Sequence, residues 1–540
     1  MSLEIKKEMI DDRLLIKLSG KLDTASMMSM DQSSVSYEGV RKVIFDFADV
    51  SYISSFGLRG LLSTRKTLDK QGISFVVMDP SQAVLDVFEV TGFNDLINVE
   101  FSGSGEITEL DHRIYPLRPI QRWMMDTHFY SAKSVMMNAM SLCRLDPSID
   151  MDMLACALND MIKEHDIFRC RFLFDPQTND MSQRFDGEPG EITVEEMTQA
   201  EFDSIRGKLR APYQIVGDQL WRARLFKTEQ NKYIYLDCYH AIMDGVAMVL
   251  VLWRELDRRL KDMLKGKKKE EIKSHPSSYA EYIREEMSIP KEVITEGEEY
   301  WKGILDGFDA SKHLPPSDIE GKIGDEELEF PLTGISKDFF KGKHFSEHAF
   351  FLGVSMLAMA KVTGQKKVIM SWIHNGRTTG KEMRLMGIML EQFPVSFDFD
   401  QKITVDEFFS QLEAQIKEGM KHRKSLGKIY EEGLEDECAC FILQKGAIGR
   451  RGVVSLADTE AVIEPLPAND EESAAESSMD IEINCYEDGT FSLVLDYDTE
   501  LYTENAMSDY AKIMQEILDK IDSETDVADL ISYDIDEDPI

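Results

Sequence analysis

A histidine, a carboxylate and a glycine fall within six residues, His240-Ala-Ile-Met-Asp244-Gly245, and this is the part of the chain best suited to chemistry. An imidazole titrates near neutrality and can take a proton from an attacking amine or hydroxyl. The carboxylate four residues on can hold the local geometry, and the glycine leaves a substrate room to approach the backbone. The pattern alone is short. With ten histidines in the chain, average Asp and Gly usage produces it by chance in about one of thirty such chains. Asp244 is also suited to a bland role, as the cap of a following helix.

The flanking residues must position these groups. Lys232 to Tyr239 reads as a strand, and on its period of two Ile234, Leu236, Cys238 and His240 share one face. Tyr239 therefore points away from His240. Val246 to Leu260 reads as a helix, so the histidine sits where a strand turns into a helix.

Further segments occur in a fixed order around this turn. They are Tyr115-Pro-Leu-Arg-Pro-Ile-Gln121-Arg-Trp123, Lys163-Glu-His165-Asp-Ile-Phe168-Arg169-Cys-Arg-Phe172, Tyr279-Ala-Glu-Tyr282 and Tyr300-Trp301-Lys-Gly-Ile-Leu305. Asn375-Gly-Arg377, Gly387-Ile-Met-Leu-Glu391-Gln392-Phe-Pro394 and Leu493-Val-Leu-Asp-Tyr497-Asp-Thr-Glu-Leu501 follow. Together they resemble the condensation domains of non-ribosomal peptide synthetases, whose signature is HHxxxDG. More broadly they resemble the superfamily of chloramphenicol acetyltransferase, with HxxxDG. The resemblance implies a two-lobed α/β fold over residues 114–535, with lobes at about 114–265 and 295–535, and a substrate channel between them. It implies an acyltransferase that forms an amide or ester from a thioester donor on phosphopantetheine or CoA, with no bound cofactor or metal.

In that likeness His240 is the catalytic base and Asp244 a structural partner of an arginine, with Arg169, Arg171 and Arg377 as candidates. Gly245 leaves room for the thioester. Tyr239, Asn375, Arg377, Glu391 and Gln392 are expected along the channel. Tyr239 stands where synthetase domains carry their first His, and Glu391-Gln392 where they carry Asn-Thr. A carboxylate there is expected to alter a neighbouring imidazole's pKa or reject an acidic donor. With no carrier or adenylation motif in the sequence, the donor is expected in trans, from an acyl carrier protein or acyl-CoA. His165 is expected to be structural, and Lys421-His422-Arg423-Lys424 an exposed helix end.

The 540 residues exceed one ordinary domain. A net charge of −38 opposes binding to nucleic acid or anionic membranes. Seven scattered cysteines do not describe a disulfide framework. The longest apolar run, Ala349 to Ala360, is too short to span a bilayer, which takes about 20 residues. These features predict a soluble, cytoplasmic protein. No GxGxxG, P-loop or zinc-ligand spacing appears.

Residues 1–100 read as a separate small α/β unit. Leu14–Leu18, Val43–Phe47 and Ile73–Met78 have strand character, while Gly57–Lys70 and Gln82–Glu89 have helical spacing. Leu18-Ser-Gly20-Lys-Leu22-Asp23 and Ile44-Phe-Asp46-Phe-Ala-Asp49-Val-Ser51-Tyr-Ile53-Ser54-Ser55-Phe-Gly57-Leu58 resemble the STAS domain of anti-sigma factor antagonists. The resemblance implies a small mixed sheet with helices, and phosphorylation of Ser55 by a partner anti-sigma-type kinase. A helix N-terminus suits a phosphate, although Ser54 or Ser55 could equally be only an N-cap. Residues 101–113, rich in Gly and Ser, are expected to be a linker, and 464–478 a mobile loop. Two functions follow: an acyltransferase regulated or recruited by its STAS domain, or a non-catalytic scaffold acting through STAS partner switching.

Overall fold

The computed structural model describes residues 3–22, 37, 39–81, 84–85, 87–88, 93, 97–100, 111–130, 135, 137–272, 278–307, 313–321, 324–427, 429, 438–445, 452–466, 478–486, 488–521 and 525–531. The expected linker lies outside these residues over 101–110, and the expected loop over 467–477. The Gln82–Glu89 helix is only partly within them.

The N-terminal unit is one five-stranded sheet: β1 (Glu4–Ile10), β2 (Arg13–Leu22), β3 (Lys42–Ile53), β4 (Ser74–Met78) and β5 (Val99–Glu100), in that spatial order. β1 and β2 are antiparallel and the rest parallel. The apolar residues of β2 and β3 that alternate in sequence, among them Leu14, Ile16, Leu18, Val43, Phe45 and Phe47, form its core. A helix, Ser55–Asp69, follows β3. Its N-cap is Ser54, whose hydroxyl accepts from Gly57 N at 3.2 Å. A Cβ on Gly57 would lie 2.5 Å from the Leu22 carbonyl oxygen. Only glycine lets the helix start this close to the end of β2.

Residues 111 onward build two larger sheets. The first has the order β10 (Val194–Glu196), β11 (Trp221–Lys227), β12 (Lys232–Tyr239), β7 (Asn138–Leu145), β18 (Thr459–Glu464), β17 (Val453–Leu456). The second runs β13 (Asp325–Leu332), β20 (Phe491–Asp498), β19 (Met479–Cys485), β16 (Cys440–Lys445), β14 (Lys367–His374), β15 (Glu391–Asp398). A three-stranded sheet joins β6 (Asp111–Pro116), β9 (Asp180–Phe185) and β8 (Arg171–Asp175). Two expectations are corrected here. Residues 111–113 are strand rather than linker, because β6 pairs with β9. The lobes are also not contiguous in sequence: β17 and β18 cross over to complete the first lobe's sheet, where β18 pairs with β7.

β12 is buried on both faces, not one. Ile234, Leu236 and Cys238 join the first lobe's main core. Tyr233 and Tyr235, on the other face, pack with Phe202 of the helix Gln199–Arg206. The apolar run Ala349–Ala360 lies in the helix Glu347–Thr363, which the second lobe's core encloses on all sides. Among the described residues no helix is long and apolar enough to cross a membrane.

The N-terminal domain rests on the second lobe. Gly380 N donates to the Ala48 carbonyl at 2.7 Å. Arg384 pairs with the buried Asp79 at 2.6 Å and donates to the Pro80 carbonyl at 2.9 Å. The touched segment lies between Arg377 and Met389, both of which serve the site below.

Candidate active site

His240 follows the last residue of β12, and its main-chain N–H donates to the Met137 carbonyl at 2.7 Å. That bond extends the pairing of β12 with β7 and fixes where the imidazole leaves the sheet. The chain then turns, with Ile242 N bonded to the Tyr239 carbonyl at 2.9 Å. The helix expected at 246–260 begins as a π-helical turn, Ala247–Leu252, and becomes α-helical over Trp253–Leu264. Such wide turns are frequent at functional sites. Gln121, on the helix Pro119–Tyr130, braces the turn through its amide, 2.9 Å from the Ala241 carbonyl.

Asp244 borders the cavity, but both of its carboxylate oxygens are engaged by the protein. Its Oδ1 accepts from Ala247 N at 2.7 Å and so caps the following helix. Its Oδ2 accepts from Arg377 Nη1 at 2.9 Å, Met389 N at 2.7 Å and Leu390 N at 3.2 Å. Cap and ion pair are thus one carboxylate's two oxygens. Arg377, fully buried, also donates to the carbonyls of Asn375, Leu385 and Gly387. Of the three candidate arginines, Arg169 and Arg171 bind carbonyls in the 170–188 region instead. The loop carrying Arg377 needs Gly376, in the left-handed region at φ 67°, since a Cβ there would overlap the Met389 carbonyl.

His240 lines a cavity of about 720 Å³ between the lobes. The wall from the first lobe includes Ile120, Trp123, Met124, Gly245 and Leu250, and that from the second includes His348, Trp372, His374, Asn375 and Gln392. A Cβ on Gly245 would meet nothing within 4 Å, so any side chain there would take cavity space. Burial lowers the His240 pKa below its ordinary value, outweighing the opposing pull of Asp244 and of the residue's own carbonyl. The imidazole is therefore neutral at pH 7 and able to accept a proton.

The expected channel residues divide. Asn375 and Gln392 reach the cavity. Arg377 is spent on Asp244. Tyr239 is buried behind the turn, its hydroxyl donating to the Met124 carbonyl at 3.2 Å. Glu391 is also absent from the cavity wall, which its neighbour Gln392 lines. Glu391 is instead buried near Arg118 (3.6 Å), Lys424 (3.7 Å) and Arg423 (3.8 Å). The expectation that it tunes an imidazole in the channel is corrected accordingly. Arg423 and Lys424 are not an exposed helix end: Arg423 pairs with Glu382, and Lys424 with Glu286 at 2.8 Å.

His165 is buried and bonded to Glu255 at 3.1 Å, a structural pair. Ser55 is the first residue of its helix. His348 and His374 were not expected in the cavity. One opens a helix and the other ends a strand, so no local pattern links them to His240.

The fold and this histidine-centred cavity define a two-lobed α/β architecture with a small sheet domain ahead of it. A condensation-domain family model matches residues 111–530 and an STAS-domain model residues 4–104. The chain belongs to the condensation-domain family and carries an N-terminal STAS domain. It is 22% identical over 298 residues to a plipastatin synthase chain of Bacillus subtilis (strain 168), covering 53% of this chain and 11% of that protein. A linear gramicidin synthase chain of Brevibacillus parabrevis is 21% identical over 460 residues, 75% of this chain and 9% of that protein. The chain thus spans only about a tenth of the length of these relatives. Among solved structures, the starter condensation domain of rhizomide synthetase in complex with C8-CoA superposes with a TM-score of 0.61 at 14% identity, covering 77% of this chain and 96% of that one. The X-domain complexed with OxyB from teicoplanin biosynthesis gives 0.64 at 16% identity, covering 79% and 97%.

Two outcomes are expected. Arg377→Ala leaves the Asp244 carboxylate buried and unpaired, and should cost about 3–5 kcal/mol in urea unfolding. Arg377→Lys, which keeps the charge but not the forked donors, should recover only part of this. A loss below about 1 kcal/mol in the alanine variant would contradict the clamp. The second concerns pH. Burial, aided by neighbouring cations, holds the pKa of His348 down at about 3 and that of His374 at about 4. The unfolded chain, with ordinary histidines, binds protons that the folded chain refuses. Stability is therefore full above about pH 6.5 and declines as pH falls toward those values, by up to about 1.4 kcal/mol per pH unit for each ring. His348→Phe should show a shallower decline between pH 6.5 and 4.5 than the parent; identical slopes would refute the assignment.

Proposed function

We propose that this protein is an acyltransferase that forms an amide or ester from a thioester donor carried on phosphopantetheine or CoA. The donor arrives in trans, on an acyl carrier protein or as acyl-CoA. The observation that carries this reading is the neutral His240 on the wall of a cavity large enough for a drug-sized ligand. A condensation fold solved with C8-CoA supports the donor class.

In this mechanism the acceptor nitrogen or oxygen attacks the thioester carbonyl while His240 takes its proton. The tetrahedral intermediate then collapses, the C–S bond breaks, and the imidazolium returns the proton to the departing sulfur. Asp244 acts through geometry, holding the turn so that the imidazole faces the bound reactants. The space beside Gly245 receives the thioester. A second reading, a non-catalytic binding module acting through STAS partner switching, is favoured by the same fold being found in complex with OxyB.

One experiment separates the two. His240→Ala should lower kcat for transfer from an acyl-pantetheine or acyl-CoA donor by about 10²–10⁴-fold, with unfolding unchanged. Equal turnover by variant and parent would remove His240 as the base and favour the scaffold.

The STAS domain is, in the same proposal, a docking and regulatory unit, supported by its contact with the segment between Arg377 and Met389. Ser55, at the start of its helix, is the proposed site for an anti-sigma-type kinase. Peptide mapping of protein from its native cells should find an added phosphate on the Ser55 peptide, absent in Ser55→Ala. An unmodified peptide through all growth phases would count against it.

A further inference from the structure

The cavity that holds His240 has a second polar feature that proton transfer does not use. His348 stands at the start of the helix Glu347–Thr363, and its ring is set edge-on to Trp372 at 4.5 Å and to Phe441 at 5.4 Å. These contacts fix the ring without engaging its nitrogens. Nε2 is buried and has no hydrogen-bond partner among the described residues. Such a group costs roughly 1–3 kcal/mol unless something completes it, and the residue lines the substrate cavity.

His374 lies close by, also on the cavity wall. Its Nδ1 accepts from Gly376 N at 3.0 Å. In a neutral imidazole this places the proton on Nε2, on the far side of the ring. The second lobe therefore presents a fixed N–H donor and an unsatisfied ring nitrogen near each other. Around them the wall is mostly apolar, with Ile120, Met124, Leu250, Trp372, Ile416 and Met420, and its neutral polar side chains are Ser346, Asn375, Gln392 and Gln444. The charged residues that border the cavity are already engaged. Asp244 is bound to Arg377, Lys445 to Glu347 at 2.6 Å, and Asp480 has a partner of its own.

We propose that His348, supported by His374, is a specificity-determining residue that binds a neutral hydroxyl carried by an otherwise apolar substrate. A hydroxyl both donates and accepts, so it can complete either ring nitrogen. An ammonium or carboxylate would enter a mostly apolar cavity without an uncommitted counter-charge and would be rejected. A plain alkyl chain would fit but leave His348 unsatisfied. The inference rests on the acyl-transfer reading for the kind of substrate, yet concerns binding and not turnover.

The test uses the full chain bearing His240→Ala, which holds thioesters without consuming them. Straight-chain acyl-pantetheines of four to twelve carbons, each with and without a terminal hydroxyl, are titrated by calorimetry. At one or more lengths the hydroxylated probe should bind about tenfold more tightly than its alkyl twin. Adding His348→Phe should abolish the preference by weakening only the hydroxylated probe, while His348→Gln, which keeps hydrogen-bonding capacity, should retain part of it. No preference at any length, or a preference that survives His348→Phe, overturns the proposal. Failure of the acyl-transfer reading would appear separately, as absence of thioester turnover by protein with His240 intact.

Discussion

The carboxylate of Asp244 is the interaction on which the rest of the molecule turns. It belongs to the first lobe by sequence, yet three of its four hydrogen bonds come from the second. Burying a carboxylate and a guanidinium is expensive, and attraction between the two seldom recovers the cost alone. Here main-chain groups support both partners: three amides on the acid, and three carbonyls on the two Nη groups of the base. The result is directional. Two lobes joined only by apolar contact could slide, whereas a fork of hydrogen bonds to fixed backbone sets a single register. The position of His240 relative to the opposite wall follows from that register.

Much of this was legible in the sequence, for reasons that differ by residue. His240, Asp244 and Gly245 lie within one turn, so their spacing carries the information directly. The partner arginine was not decidable, because Arg377 is 133 residues away and nothing local separates it from Arg169 or Arg171. The period-two rule placed Tyr239 away from His240. His348 and His374 were invisible because helix Glu347–Thr363 and strand β14 meet the cavity only through tertiary packing. Arg423 and Lys424 read as solvent-facing charge because sequence does not show Glu286 and Glu382 arriving from other segments.

Charge is distributed to suit this arrangement. The chain is strongly acidic overall, but one buried array pairs its charges locally. Behind the cavity, Arg118, Arg423 and Lys424 offset Glu286, Glu382 and Glu391. This compact array keeps β15, the helix Tyr279–Met287 and the segment after Lys421 in contact. In the cavity, burial is the largest influence on all three imidazoles, and nearby charges add to it or oppose it: Asp244 at His240, Lys445 at His348, and Arg423 and Arg377 at His374.

The strand crossover has a consequence for how the chain acquires its structure. β7 takes one neighbour, β12, from residues roughly a hundred positions away, but its other neighbour is β18, more than three hundred residues later. As the polypeptide leaves the ribosome, the first lobe cannot close its sheet until nearly the whole chain is available. Until then β7 is an open edge with unpaired amides and carbonyls, the kind of surface that templates pairing with other chains. Long-range pairing of this sort is intrinsically slow. The two lobes therefore mature together late in synthesis, and the STAS sheet, built from local segments ahead of them, is the one part positioned to fold first.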